Sequence, residues 1–278
     1  MEVKNQDRVD SSSLHNYSID HIRDENLKSL TVRKKLHLVF DLDNILLHSK
    51  ETKDLSSFDQ NYLQRNECQR WLQEGKLYRW TQGKQWNGKY LVTKLRPYVR
   101  TFLQEANKLF DLSIFTLGDL VYARKMLDIL DPEGLYFAHH SQVLTREDCI
   151  SPLKKGLDPV LSHERVVLIV DNTKDVWDNN TKSVIEIPSY NFFDDILSDT
   201  KSLSRRWIDE SEKYGELARL LRNLKKIHAE FYREDKEGRR EVKDAIAEVK
   251  RQSIGFKFDK NLRAEVRMEL ELYNWGCK

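Results

Sequence analysis

Three short apolar runs punctuate the first two thirds of the chain, and each ends on a polar residue. Leu36 to Phe40 runs into Asp41, Leu112 to Phe115 into Thr116, and Val166 to Val170 into Asp171. Continuous apolar runs of four or five residues predict strands buried on both faces. Between the first two lies a helical pattern that Pro97 opens, with Val99, Phe102, Leu103, Ala106, Leu109 and Phe110 on one face. Between the last two, Asp119 is placed to cap a second helix carrying Tyr122, Ala123, Met126, Leu127 and Leu130, which Asp131 and Pro132 stop. Strands alternating with helices predict an α/β fold around a central parallel sheet. All strands of such a sheet leave at one edge, where open α/β sheets bind their ligands. Asp41, Thr116 and Asp171 are therefore expected at one site.

The flanking segments differ. Residues 1–30 are polar and weakly periodic, with three consecutive serines, and predict a flexible N-terminal arm. Residues 49–95 hold Trp71, Tyr78, Trp80, Trp86 and Tyr90 and an Asn87-Gly88 turn between alternating stretches. They predict a helix and a β-hairpin inserted beside the site, serving as a satellite core or as a substrate-contacting flap. Residues 200–278 are charged and helical. Leu217, Leu220, Leu221, Leu224, Ile227 and Phe231 share one stripe that also holds His228, and Val242, Ala245, Ile246 and Val249 form another. This predicts a helical C-terminal extension following a core domain over 31–199.

Composition narrows the class. The 278 residues carry 47 basic and 45 acidic side chains, and a net charge of +2 gives no reason to expect direct binding of nucleic acid. Cys68, Cys149 and Cys277 contain no C-x-x-C pair, which excludes a disulfide scaffold and a cysteine-rich zinc site. The N-terminus lacks the apolar stretch of a signal peptide and no run has the length of a membrane span, so a soluble, intracellular protein is expected.

At the first strand end, Asp41-Leu-Asp43 sets two carboxylates two residues apart. One aspartate can attack phosphorus to form an aspartyl-phosphate, and the second can protonate the leaving oxygen and later deprotonate water. Two anions would repel a phosphate, so cations are required. A hard divalent ion, Mg²⁺, suits Asp41, Asp171 and Asn172, and Lys155 supplies a second positive charge. Thr116-Leu-Gly118 offers a hydroxyl and small-residue backbone to hold phosphoryl oxygens. Arg146 is placed to reach a substrate carbonyl or phosphate, or to form a surface salt bridge.

Together, Leu38-Val-Phe-Asp-Leu-Asp-Asn-Ile-Leu-Leu-His48, Lys94-Leu-Arg-Pro-Tyr-Val-Arg-Thr-Phe-Leu103, Ile114-Phe-Thr-Leu-Gly-Asp119, Lys155-Gly-Leu and Leu168-Ile-Val-Asp-Asn-Thr-Lys-Asp-Val-Trp177 resemble the haloacid-dehalogenase superfamily. Within it they resemble the RNA polymerase II carboxy-terminal-domain phosphatases, plant members included, over about residues 31–195. The resemblance implies a Rossmann-like fold with Asp41 as nucleophile and Asp43 as acid/base. It assigns Thr116, Gly118 and Lys155 to phosphate, Asp41, Asp43, Asp171 and Asn172 to Mg²⁺, and a phosphoserine or phosphothreonine in a proline-containing tail as substrate. It also implies residence in the nucleus. Ile45 stands where the family pattern has Thr or Val, and Asn172 where many relatives have Asp.

The short span between Thr116 and Lys155 has no room for a large cap beyond its one helix, so the site is expected to be open to a protein segment. Two other readings compete with a protein serine/threonine phosphatase: a catalytically inactive phosphoprotein-binding module, motivated by Ile45, and a helical scaffold with a vestigial sheet domain.

Overall fold

The computed structural model describes residues 11–83, 88–137, 143–151, 153–177, 180–195, 202–235 and 238–255. Its centre is a five-stranded sheet of β1 (Leu36–Phe40), β5 (Phe110–Phe115), β6 (Val143–Leu144), β7 (Val167–Asp171) and β8 (Val184–Glu186), in the order β6-β5-β1-β7-β8. Every pairing is parallel, as the apolar runs predict. Alternation along the strands splits the core by face. Leu36, Leu38 and Phe40 enter the main core with the helices, while Val39, Phe115, Val167 and Ile169 form a second core with Trp177.

The chain crosses from β1 towards β5 and β6 and then returns to lay β7 on the other flank of β1. That reversal makes the gap between β1 and β7 a topological switch point. Phe40 is level with both Ile114 and Val170, so the next residues, Asp41, Phe115 and Asp171, emerge together. The first crossover carries α4 (Val99–Asn107) and the second α5 (Leu120–Leu130), the latter capped by the Asp119 side chain, which accepts from Tyr122 N at 2.8 Å.

Three expectations are corrected. Residues 11–33 form helix α1 (Ser11–Arg33) where an arm is expected. Leu30 is buried in the main core, Arg23 pairs with Asp158 at 3.0 Å, and Asn26 donates to Leu161 O at 2.7 Å. The stripe that docks is narrow, Leu27 and Leu30, too thin to show against a polar background. The insert holds two short helices, α2 (Ser57–Tyr62) and α3 (Asn66–Gln73), and the expected hairpin of β3 (Leu77–Gln82) and β4 (Lys89–Leu95) gains a third strand, β2 (Leu47–Glu51), paired with β4. Trp86 and Asn87 of the expected turn lie outside the described residues.

The third correction concerns the boundary at residue 200. Helices α6 (Glu216–Glu234) and α7 (Val242–Gly255) place Leu217, Leu221, Leu224, Ile227, Ala245 and Ile246 in the main core with Leu38 and Phe40. His228 is half-buried and bonds Lys34 O at 2.7 Å. Upstream of α6, Asp209 meets Lys94 at 2.6 Å and Glu210 grips the buried Arg96 through both carboxylate oxygens. The segment packs as part of the same domain.

Deleting residues 200–278 is therefore expected to abolish cooperative thermal unfolding, read by circular dichroism, rather than to leave a folded domain. A second expectation concerns pH. The half-buried His48 accepts at Nδ1 from Phe192 N and Phe193 N at 3.0 and 3.1 Å, and desolvation, with the Lys50 charge, lowers its pKa to about 4. The unfolded chain binds a proton there below about 6.5, where the native state does not. Its contribution is complete above that value and is lost as pH falls towards 4. The buried His37 adds to the same slope, its pKa also lowered to about 4 by burial. In urea titrations at pH 7 and pH 4.5, His48→Gln should narrow the stability difference.

Candidate functional site

Lys155 reaches the sheet edge from a loop that lies beside Trp177, its N–H donating to Val176 O at 2.7 Å. Its ammonium sits 3.0 Å from Asp41 Oδ1 and 3.0 Å from Asp171 Oδ2. The lysine and Asp171 side chains are 1% and 2% exposed, and Asp41 is 14% exposed, so Asp41 is the member of this trio that an incoming group can reach. Burial would drive Lys155 down, but the charges of Asp41 and Asp171 outweigh it and hold the ammonium above its ordinary value. Burial pushes Asp41 up to about 7; Lys155 opposes this, and the Asp171 and Asp43 charges reinforce it. Every charge here depends on its neighbours.

The structure brings together Asp41, Asp43, Thr116, Lys155 and Asp171, with Gly118 and Asn172 alongside. The Asp43 carboxyl, raised by burial, is hydrogen-bonded by the Tyr122 and Thr116 hydroxyls. Thr116 Oγ1 accepts from Gly118 N at 3.0 Å. The expected phosphate contact of the Gly118 N–H is thus already committed to aiming Thr116. A Cβ at Gly118 would lie 2.7 Å from the Tyr122 ring, which explains the missing side chain.

Asp171 anchors the lysine: Oδ2 accepts from Lys155 and from Trp177 Nε1 at 2.9 Å, while Oδ1 accepts from Thr173 N at 2.9 Å. Asn172 donates Nδ2 to Ser189 Oγ at 2.8 Å, which leaves its amide oxygen as an acceptor. Among the described residues no group of three His, Cys, Asp or Glu side chains could hold a metal ion. An ion that keeps several waters and takes a few oxygen ligands, as Mg²⁺ does, fits a donor set of the Asp41 carboxylate and the Asn172 oxygen.

Arg146 is exposed and lies 3.6 Å from Asp119, which also accepts from Gln82 of the insert at 2.9 Å. It therefore makes the surface ion pair and sits at the rim by Gly118, whose carbonyl accepts from Arg146 N at 3.2 Å. Ile45 is fully buried in the main core, so the change at that position affects packing. Arg96 went unnoticed as a contributor: it donates to Ile45 O at 3.1 Å and Pro188 O at 3.0 Å, bracing the loop behind Asp43. A cleft of about 1220 Å³ lined by Trp71, Arg96, Ser189, Trp207 and Asp209 lies beyond it and includes none of the strand-end residues.

Fold, strand-end carboxylates and buried lysine define a phosphotransfer type of site on a Rossmann-like sheet. The family described as NLI interacting factor-like phosphatase matches residues 36–232, and the chain belongs to this family. It is 36% identical over 247 residues to the RNA polymerase II C-terminal domain phosphatase-like 4 of Arabidopsis thaliana, covering 87% of this chain and 55% of that one. It is 28% identical over 243 residues to the RNA polymerase II C-terminal domain phosphatase-like 3 of the same plant, covering 83% of this chain and 19% of that one. The chain thus spans about half or less of the length of these relatives. Among solved structures it is similar to Fcp1, described as an essential RNA polymerase II CTD phosphatase, with a TM-score of 0.66 at 23% identity over 81% of this chain and 73% of that one. A fission yeast Fcp1 variant bound to beryllium fluoride gives 0.64 at 22% identity, again over 81% and 73%. These structures share the fold.

Removing the central cation tests the electrostatics. Lys155→Met should cost about 3 kcal/mol near pH 9, because Asp41 and Asp171 then face each other without compensation. The loss, read from urea unfolding, should shrink by pH 6, below the value of about 7 to which Asp41 is raised, where its carboxyl holds a proton with or without the lysine.

Proposed function

We propose that the protein is a Mg²⁺-dependent protein serine/threonine phosphatase that works through an aspartyl-phosphate. Its substrate is the phosphorylated C-terminal domain of RNA polymerase II, which implies work in the nucleus. The carrying observation is a nucleophile candidate, Asp41, held 3.0 Å from a buried lysine that a second carboxylate anchors. Names of relatives support the substrate, as does beryllium fluoride, a phosphoryl mimic, in one structural neighbour.

Asp41 Oδ2, the oxygen that Lys155 does not occupy, attacks phosphorus as the bond to the seryl or threonyl oxygen breaks. Asp43 gives its proton to that departing oxygen and then takes one from the water that attacks the aspartyl-phosphate, releasing inorganic phosphate and restoring Asp41. Lys155 and Thr116 hold the transferring oxygens while Asp171 holds Lys155. Mg²⁺, which Asp41 and Asn172 would hold, would neutralise phosphoryl charge. Between Thr116 and Lys155 the described residues form α5, the two-residue β6 and single turns, so a polypeptide can approach.

Asp41→Asn should lower Mg²⁺-dependent phosphate release from a phosphoserine heptad-repeat peptide at least about 1000-fold, since it removes the nucleophile. The circular dichroism melt should stay close to wild type, because Lys155 keeps Asp171. Undiminished turnover would sink the mechanism.

A further inference from the structure

Between the insert and the strand-end site runs an unbroken line of buried and half-buried hydrogen bonds that the proposed chemistry does not use. Trp80 Nε1 on β3 is 2.9 Å from Thr93 Oγ1 on β4. Thr93 Oγ1 is 2.8 Å from Ser49 Oγ on β2. Ser49 Oγ is 2.8 Å from the Tyr122 hydroxyl on α5, and that hydroxyl contacts Asp43 Oδ1.

The ends of this line fix its direction. An indole N–H only donates, and each hydroxyl has one proton to give; with the acid proton of Asp43 on Oδ2, Oδ1 accepts the single Tyr122 proton, so the Ser49–Tyr122 contact is donated by Ser49. Trp80 therefore donates to Thr93, Thr93 to Ser49, Ser49 to Tyr122 and Tyr122 to Asp43. Bonds ordered head to tail polarise one another, so the last donor is stronger than an isolated phenol. Burial and the charges of Asp43 and Asp41 raise the Tyr122 pKa, which keeps that proton on the phenol. Thr93 is fully buried, and Trp80 and Tyr122 rings pack 5.9 Å apart, which limits rearrangement of the line.

We infer that Tyr122 is the positioning residue of the acid/base carboxyl and that the insert sheet, through Ser49, Thr93 and Trp80, holds Tyr122 to that task. The inference rests on the phosphatase reading and adds to it a role for the insert. With Oδ1 accepting from Tyr122, the transferable proton of Asp43 resides on Oδ2, ready for the leaving oxygen. The bond balance is that of the reaction above: the proton moves from Asp43 Oδ2 to the seryl oxygen as phosphorus transfers to Asp41. Tyr122 itself exchanges no proton.

Acid aid matters for a seryl oxygen, a poor leaving group, and little for an aryl oxide that departs unprotonated. The test compares kcat/KM, which reports the steps up to loss of the alcohol, for a phosphoserine peptide and for p-nitrophenyl phosphate. In the full chain with Mg²⁺, Tyr122→Phe should reduce the peptide value about 30-fold, within the range that general acid catalysis supplies, and the aryl value less than about threefold. Thr93→Val, which keeps shape but removes the bonded hydroxyl at a residue outside the site, should reduce only the peptide value, by about fivefold, and should add nothing to Tyr122→Phe. Equal losses on both substrates, no loss on either, or additive effects of the two substitutions would each overturn the positioning role. If the native chain hydrolyses neither substrate, the phosphatase reading itself fails and takes this inference with it. Native activity with indifference to leaving group in the variants rejects the inference alone.

Discussion

A single buried ammonium between two carboxylates governs this molecule. Burying Lys155, Asp41 and Asp171 separately would each be costly; burying them in contact lets each charge compensate the others. With both carboxylates ionised the trio carries one surplus negative charge, on the side of Asp41, its most accessible member. Asp41 shares its lysine with Asp171, which leaves a demand for positive charge on its outer side that the proposed divalent cation would meet.

The rest of the fold serves to bring these residues to one edge. The switch point between β1 and β7 puts Asp41 beside Asp171, and the parallel pairing of β5 brings Phe115 level with them and Thr116 one residue beyond. Leu42, Ile45 and Leu46 bury the loop after β1 in the main core, and the buried Arg96 ties down its backbone. Arg96 spans the backbone of that loop, the segment after β8 and Glu210, so three stretches far apart in sequence share one guanidinium. A planar group with five donors is suited to that task in a way that lysine is not.

Strands β1, β5 and β7, helices α4 and α5 and the meeting of their polar ends were legible, because apolar runs and helical periodicity report burial directly. Docking of α1 was not, since two leucines on an otherwise solvated helix give almost no period. Nor was the union of α6 and α7 with the main core: their stripes show that something is covered, without showing what. At the site, Lys155 could be picked out by its chemistry and its place before a glycine, yet the commitment of both Asp171 oxygens could not, because it depends on Trp177 and Thr173 N arriving by folding. Tyr122 was counted on the apolar face of its helix, and a tyrosine on such a face hides its hydroxyl from any reading of periodicity.

That hidden hydroxyl changes what the insert is for. A satellite core could have been built from Tyr62, Trp71, Leu77, Val92 and Phe192 with apolar residues alone at the boundary. Ser49, Thr93 and Trp80 Nε1 instead put three polar groups into the interface with α5, where each must be satisfied or cost about 1–3 kcal/mol. They are satisfied by one another along a line that ends on the Asp43 carboxyl. A seam that needed only satisfied groups would not have to end at a strand-end carboxyl, and that terminus is what accords with the orienting role inferred for Tyr122.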